Sequence, residues 1–288
     1  MTMSATATAS VNELFAILLA RDLRPDDRTI MVGANMPMAR AAAVLANMTT
    51  HPDARILIGL GVQGLGDGGA PPAVHPFLFD PRTLAAEALM FQGRVFDDLH
   101  RPDVFFVGGL QLDQRGNLNL FGIPDGDGGW KMRGPGSIAL ATMSAHCAGY
   151  YIVMPSHSPR TFVERVALIS ALGDRTERAR LKLPGGGIRL VLSPLGVFDF
   201  DDAGDMRVRS LHEGVSLEDA QAATGFELVA PDEVPVTPPR QGRNGRRWPA
   251  ARRPITKCAS SRSTTSTRPC STARRNTGPT AATTSTPT

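Results

Sequence analysis

The sequence predicts an open, mostly parallel α/β sheet flanked by helices. Three observations lead there: short apolar runs that suit buried strands, helical spacing before and between the first two of them, and glycines where the runs stop. Strands of a parallel sheet are covered on both faces, so they read as continuous apolar stretches.

Val11 to Leu23 carries apolar residues at 11, 14, 15, 18 and 19, the spacing of one helical face. Thr29 to Val32 follows as a short strand and ends at Gly33. Met38 to Met48 is Ala-rich and helical. Pro37 suits its first turn, where an N–H would lack an intrahelical partner anyway. Arg55 to Ile58 is a second strand, entering a Gly-rich loop from Gly59 to Gly69. Asp103 to Val107 is a third, stopped by Gly108-Gly109, and Tyr150 to Met154 and Ile188 to Leu192 are the fourth and fifth. Met206 to Leu211 alternates, which suits an antiparallel or edge strand. Ser216, with Asp219 three residues on, opens a short capped helix. Ligands of such sheets bind outside the carboxyl ends of the strands. Gly33, Gly59 and Gly108 fall there.

Hydrophobic residues make up 42% of the 288, enough for a substantial core. Charge divides the chain sharply. Residues 241–288 hold ten Lys/Arg and no acid, which leaves 21 basic against 27 acidic residues in 1–240. The expected organisation is a flexible N-terminus over 1–10, one α/β domain over 11–240, and a basic Ser/Thr/Arg/Pro tail over 241–288. That tail has too little apolar surface to offset its ordering entropy, so it is expected to be disordered. A basic arm of this kind binds nucleic acid through phosphates. The abrupt onset and the lack of a single acid instead favour non-native, frame-shifted sequence, so a nucleic-acid partner is not expected. Cys147, Cys258 and Cys270 show no metal-ligand spacing and no disulfide framework, which fits a cytoplasmic protein. The first residues lack a basic stretch followed by an apolar one, so no signal peptide is expected, and no apolar run is long enough to span a bilayer.

The segment Gly108-Gly109-Leu110-Gln111-Leu112-Asp113-Gln114-Arg115-Gly116-Asn117-Leu118-Asn119 reads as a strand, a tight turn and a second strand. Its glycines allow close backbone approach. Asp113 to Gly116 supplies turn chemistry, and its amides can donate and accept at once. Taken alone, those amides either satisfy the turn or face a ligand.

This segment closely resembles the GGxQxDxxGNxN motif of β subunits in family I CoA-transferases of the glutaconate CoA-transferase type. The resemblance continues in order. Val32-Gly33-Ala34-Asn35-Met36-Pro37 is similar to that family's first loop, and Arg133-Gly134-Pro135-Gly136-Ser137 to its Gly/Ser turn. Leu183-Pro184-Gly185, Leu195-Gly196-Val197-Phe198-Asp199-Phe200 and Thr224-Gly225-Phe226-Glu227-Leu228 match its C-terminal half, so the resemblance covers about residues 11 to 232. Steroid ring-opening hydrolases of the same superfamily share the Leu195–Phe200 and Met206–Val215 patterns especially closely.

The resemblance implies a CoA-transferase (NagB/RpiA-like) fold and an α-type partner subunit, commonly as α2β2. It also implies a CoA thioester substrate in the cleft between subunits, with no tightly bound cofactor and no metal. Substrate- and CoA-binding positions carry over to Gly33, Asn35, Gly108, Gly109, Gln111, Asn117, Asn119, Gly134 and Gly136. Of these, the glycines would offer backbone N–H groups to a developing oxyanion. In the transferases a β-subunit glutamate attacks the acyl-CoA carbonyl, giving an anhydride and then a glutamyl-CoA thioester. That position is Gly59 here. The next carboxylate is Asp67, and the amide of Gln63 cannot form an anhydride. Three readings follow: a ring-opening CoA-thioester hydrolase whose base comes from the α partner, a transferase with its acid elsewhere, or a non-catalytic scaffold.

Other residues invite plainer readings. His146, His157 and His212 suit hydrogen-bonded structural roles. Arg115 and Lys131 are candidates for CoA phosphates or a substrate carboxylate. Gly59 to Gly64 satisfies GxGxxG, but the Gly/Pro-rich stretch after it cannot open the helix that a dinucleotide needs.

Overall fold

The computed structural model describes residues 11–33, 36–58, 61–63, 102–137 and 139–238. In chain order the elements are α1 (Val11–Asp22), β1 (Thr29–Val32), α2 (Pro37–Asn47), β2 (Arg55–Ile58), β3 (Gly61–Gln63), β4 (Val104–Val107), β5 (Gln111–Asp113), β6 (Leu118–Asn119), β7 (Gly122–Pro124) and β8 (Trp130–Arg133). They continue as α3 (Leu140–His146), β9 (Gly149–Val153), β10 (Phe162–Val163), α4 (Arg175–Arg180), β11 (Ile188–Leu192), β12 (Gly196–Phe200), β13 (Met206–Leu211) and α5 (Leu217–Ala222).

The main sheet runs β13-β12-β11-β9-β4-β1-β2-β3. Its five central strands, β11, β9, β4, β1 and β2, are parallel, and β12, β13 and β3 add antiparallel edges. The alternation in Met206–Leu211 therefore reports an edge strand, as its pattern predicts. One expectation changes. The loop expected from Gly59 to Gly69 contains a strand, β3, whose pairing with β2 satisfies backbone groups that a loop would leave to water.

Strand geometry sends successive side chains to opposite faces, so each short apolar run serves two cores. Ile30, Val32, Ile56, Val104, Phe106, Tyr151, Val153, Leu190 and Leu192 face α1 and α2. Met31, Leu57, Phe105, Val107, Tyr150, Ile152 and Val191 face the other way, towards α3, α5 and a small sheet ordered β10-β5-β6. Cross-strand ring stacks mark both faces, Phe106 with Tyr151 at 5.1 Å and Phe105 with Tyr150 at 4.9 Å. Such pairs add about 1 kcal/mol each beyond the area they bury. Ala39, Ala42, Ala43 and Ala46 are fully buried, which lets α2 lie close to its neighbours.

Charge gathers at the amino ends of the parallel strands. Asp27, just before β1, pairs in two-pronged fashion with Arg189 at the start of β11, at 2.6 and 2.8 Å. Asp103, just before β4, accepts the backbone N–H groups of Arg28 and Thr29, both at 2.8 Å. Asp22 accepts the Tyr151 hydroxyl at 2.9 Å, and burial raises its pKa.

Candidate active site

Glycines stand where the central strands stop: Gly33 after β1, and Gly108 and Gly109 after β4. Their roles differ. The Gly33 N–H donates to Phe106 O at 3.2 Å, extending the sheet, and the Gly134 N–H donates to Phe121 O at 2.9 Å. Those two donors are spent within the fold. Among the described residues, the N–H groups of Gly108, Gly109 and Gly136 have no backbone acceptor. Gly136 needs to be glycine on conformational grounds, with φ at +101° in open space. Gly109 is a packing requirement, since a Cβ there would sit 2.3 Å from Leu118 Cδ1.

Local hydrogen bonding explains why the chain doubles back after Gly109. Asp113 Oδ1 accepts from the N–H groups of Arg115 and Asn117, and Oδ2 accepts from Asn117 Nδ2 at 3.1 Å. This turn returns β6 beside β5, and Leu110 N–H closes the ribbon on Asn119 O at 2.7 Å. Burial raises the Asp113 pKa, while its hydrogen bonds from Asn117, Val166 and Arg115 favour its charged form. A buried carboxylate held this way builds the turn and presents no free oxygen as a nucleophile. Asn117 Oδ1 in turn accepts from the N–H groups of Gly173 and Asp174.

Asn119 is fully buried and uses all four of its hydrogen-bonding positions. Its Nδ2 donates to Gln111 Oε1 at 2.9 Å and Gly122 O at 2.8 Å, and its Oδ1 accepts from the N–H groups of Phe121 and Gly122. The β7/β8 hairpin then returns the chain to Gly134, where a Cβ would meet Leu120 O at 2.3 Å. Ser137 Oγ donates to Ser170 Oγ at 2.6 Å, and Ser170 Oγ accepts the Leu120 N–H. The Gly134-Pro135-Gly136 turn is thereby tied to the motif, bringing Gly109, Gln111, Asn119 and Gly134 into one cluster. Asn35, Gly59 and Asp67 lie outside the described residues.

The three histidines are tied into the fold. His157 lies flat on Phe162, 3.6 Å between ring centroids. Thr224 donates its hydroxyl to Ala220 O, so it accepts from His157 Nε2–H at 2.9 Å. That leaves Nδ1 to accept from Ser193 Oγ at 2.7 Å. Burial depresses the His157 pKa to about 4. Ser193 is fully buried, so the pair is not a nucleophile and its base. His212 donates from Nε2 to Ser193 O at 3.0 Å, and burial lowers its pKa as well. His146 Nδ1 lies 2.9 Å from Thr142 O. This polar knot joins residues far apart in sequence, each isolated in apolar context, and no local motif signals it.

Arg115 is held by Asp174, Asp205 and the Ala203 carbonyl. Its guanidinium is therefore committed to the fold rather than offered to a phosphate. Lys131 sits on the exposed strand β8. Arg133 NH1 donates to Phe121 O, and its guanidinium lies 3.8 Å from the Phe121 ring centroid. Among the described residues, no group of three or more His, Cys, Asp or Glu could hold a metal ion, and no helix is long and apolar enough to cross a membrane.

No protein-family model matches the chain. Individual proteins do. It is 30% identical over 238 residues to the β subunit of 3-oxoadipate CoA-transferase from Pseudomonas knackmussii, covering 79% of this chain and 87% of that protein. The chain belongs to the CoA-transferase β-subunit family. Within that family it is also 32% identical over 227 residues to the cholesterol ring-cleaving hydrolase IpdB subunit of Mycobacterium tuberculosis, covering 75% and 84% of the two chains. Solved structures share the CoA-transferase fold: Rhodococcus jostii IpdAB has a TM-score of 0.65 at 24% identity, with 80% and 89% of the chains covered. Glutaconate CoA-transferase of Acidaminococcus fermentans has a TM-score of 0.62 at 23% identity, with 77% and 88% covered.

Proposed function

We propose that this chain is the β-type half of a cytoplasmic α2β2 enzyme that opens a ring in a CoA-linked, steroid-type substrate by C–C bond hydrolysis. The observation that carries the proposal is Gly59 at the position of the transferase glutamate, with the motif's own carboxylate, Asp113, held by hydrogen bonds from Arg115, Asn117 and Val166. A covalent glutamyl-CoA thioester cannot form at a glycine. The base then comes from the α partner and takes a proton from water. The resulting hydroxide adds to a ring ketone, and the N–H groups of Gly108, Gly109 and Gly136 are available to the oxyanion. Collapse breaks the ring C–C bond. One carbon becomes a carboxylic acid, the other takes a proton, and the CoA thioester stays in the product. The resemblance to a ring-cleaving hydrolase subunit supports this chemistry.

The match to the 3-oxoadipate CoA-transferase β subunit favours a second reading, transfer of CoA between carboxylates with an acid supplied from elsewhere. One experiment separates the two. The chain is co-expressed with the α-type subunit and given CoA-linked cyclic ketones in 18O-labelled water. Ring opening places label in a new carboxylate and retains the thioester. CoA appearing on an added acceptor carboxylate, with no labelled ring-opened product, rejects the hydrolase.

A further inference from the structure

We infer that the β7/β8 hairpin, together with the neighbouring Leu168 and Ile169, is the surface on which the α-type subunit docks. The inference rests on the partner proposed above, and it adds the place where that partner binds. Among the described residues nine large hydrophobic side chains are exposed, and four of them fall in this one region: Trp130, Met132, Leu168 and Ile169. The other five each stand alone on a different stretch of chain. The two halves of the region meet at Leu120 and Phe121. Ser170 Oγ, next to Ile169, accepts the Leu120 N–H at 2.9 Å, and the Phe121 ring lies 5.3 Å from that of Trp130. Within this chain nothing accounts for the exposure. The hairpin is a two-stranded sheet of its own, and all four residues of β8 are exposed. Two strands alone are at best marginally stable in water. Single exposed apolar residues are ordinary, whereas a group of them marks an interaction site. Trp, Met and Arg are also enriched at protein interfaces.

The occupant follows from where the hairpin is rooted. Asn119 binds both the carbonyl and the N–H of Gly122, and the Gly134 N–H donates to Phe121 O. The hairpin therefore rises directly from the cluster of Gly109, Asn119 and Gly134. A subunit that places its base beside these glycines must lie alongside the hairpin. The exposed cations Lys131 and Arg133 alternate with Trp130 and Met132, and they complement a partner surface that carries a carboxylate. A second copy of this chain would set like charges against each other and bring no acid to the site.

The test compares two methionines of equal exposure in this chain, Met132 in the hairpin and Met48 just after α2, each 50% exposed. Hydroxyl-radical footprinting of the assembled, wild-type α/β complex should oxidise Met132 about fivefold more slowly than Met48, because oxidation follows access to the sulfur. In sedimentation experiments on the full chain with the α-type subunit, Met132→Glu should weaken assembly about thirtyfold or more, and Met48→Glu less than about twofold. Equal oxidation of the two methionines, or equal assembly of the two variants, overturns the inference. So does protection of Met132 in this chain alone, which would mean that a second copy covers the hairpin. Wild-type chains that do not assemble reject the α-partner reading, and the inference with it. Wild-type chains that assemble with Met132 as reactive as Met48 reject the inference alone.

Discussion

The two ends of the parallel strands are made of different materials. At the amino ends, Asp27, Asp103, Arg189 and Asp22 form buried or half-buried pairs and backbone caps. At the carboxyl ends the chain places glycines, neutral amides and a neutral histidine, with Asp113 consumed by its own turn. The first end holds the sheet in place. The second leaves the N–H groups of Gly108, Gly109 and Gly136 without a backbone acceptor among the described residues, the arrangement expected of a half-site whose charge arrives with a partner. Substitutions at the amino ends should therefore cost stability, and those at the carboxyl ends should cost turnover.

Arg189→Met tests this most severely. It leaves Asp27 buried and unpaired, so urea unfolding should show a loss of about 3–5 kcal/mol. Adding Asp27→Leu should return most of that. A loss under about 1 kcal/mol would mean that the pair does not anchor the sheet.

Next in size is a pH effect at the opposite end. His157 has its pKa depressed from 6.5 to about 4 by burial. Between those values the unfolded chain binds a proton that the folded one refuses, so stability is complete above pH 6.5 and falls as pH drops towards 4. With allowance for partial exposure, the loss amounts to about 2 kcal/mol. His157→Gln should flatten this part of the stability–pH curve. An unchanged slope would assign the acid lability to another group.

Gly108→Ala separates the two kinds of cost. A Cβ there meets only Val153 O, at 3.3 Å. Unfolding should shift by less than about 1 kcal/mol, while turnover of the complex falls tenfold or more as the methyl blocks approach to the N–H groups. Equal effects on both would erase the distinction between the ends. The smallest change is expected for Arg207→Ala, which removes an exposed pair with Asp199 at 2.9 Å. Thermal unfolding should register less than about 1 kcal/mol.

Much of the fold is legible in the sequence because the central strands carry their own burial pattern. Runs such as Thr29–Val32 and Val104–Val107 need no partner to be recognised. The helix at Leu217 announces itself with a complete capping box from Ser216 and Asp219. β3 and β10 are short and defined by tertiary pairing, and α3 has no side-chain cap, so no local pattern announces them. α4 does carry a local signal, because Asp174 caps the N–H groups of Thr176 and Glu177. At the site, the glycines and the Asp113 turn can be read locally. The division of labour cannot. Gly33 and Gly134 look as available as Gly108 until Phe106 O and Phe121 O are seen to accept their N–H groups. Arg115 resembles a phosphate ligand until Asp174 and Asp205 close on it from 59 and 90 residues away.

The central claim is that this chain contributes donors and no nucleophile. Intact-mass measurement of the chain tests it most directly, after the α/β complex has been incubated with acetoacetyl-CoA and quenched in acid. This chain should keep its unmodified mass. A covalent CoA or acyl adduct on it would mean that the chain carries a nucleophile after all.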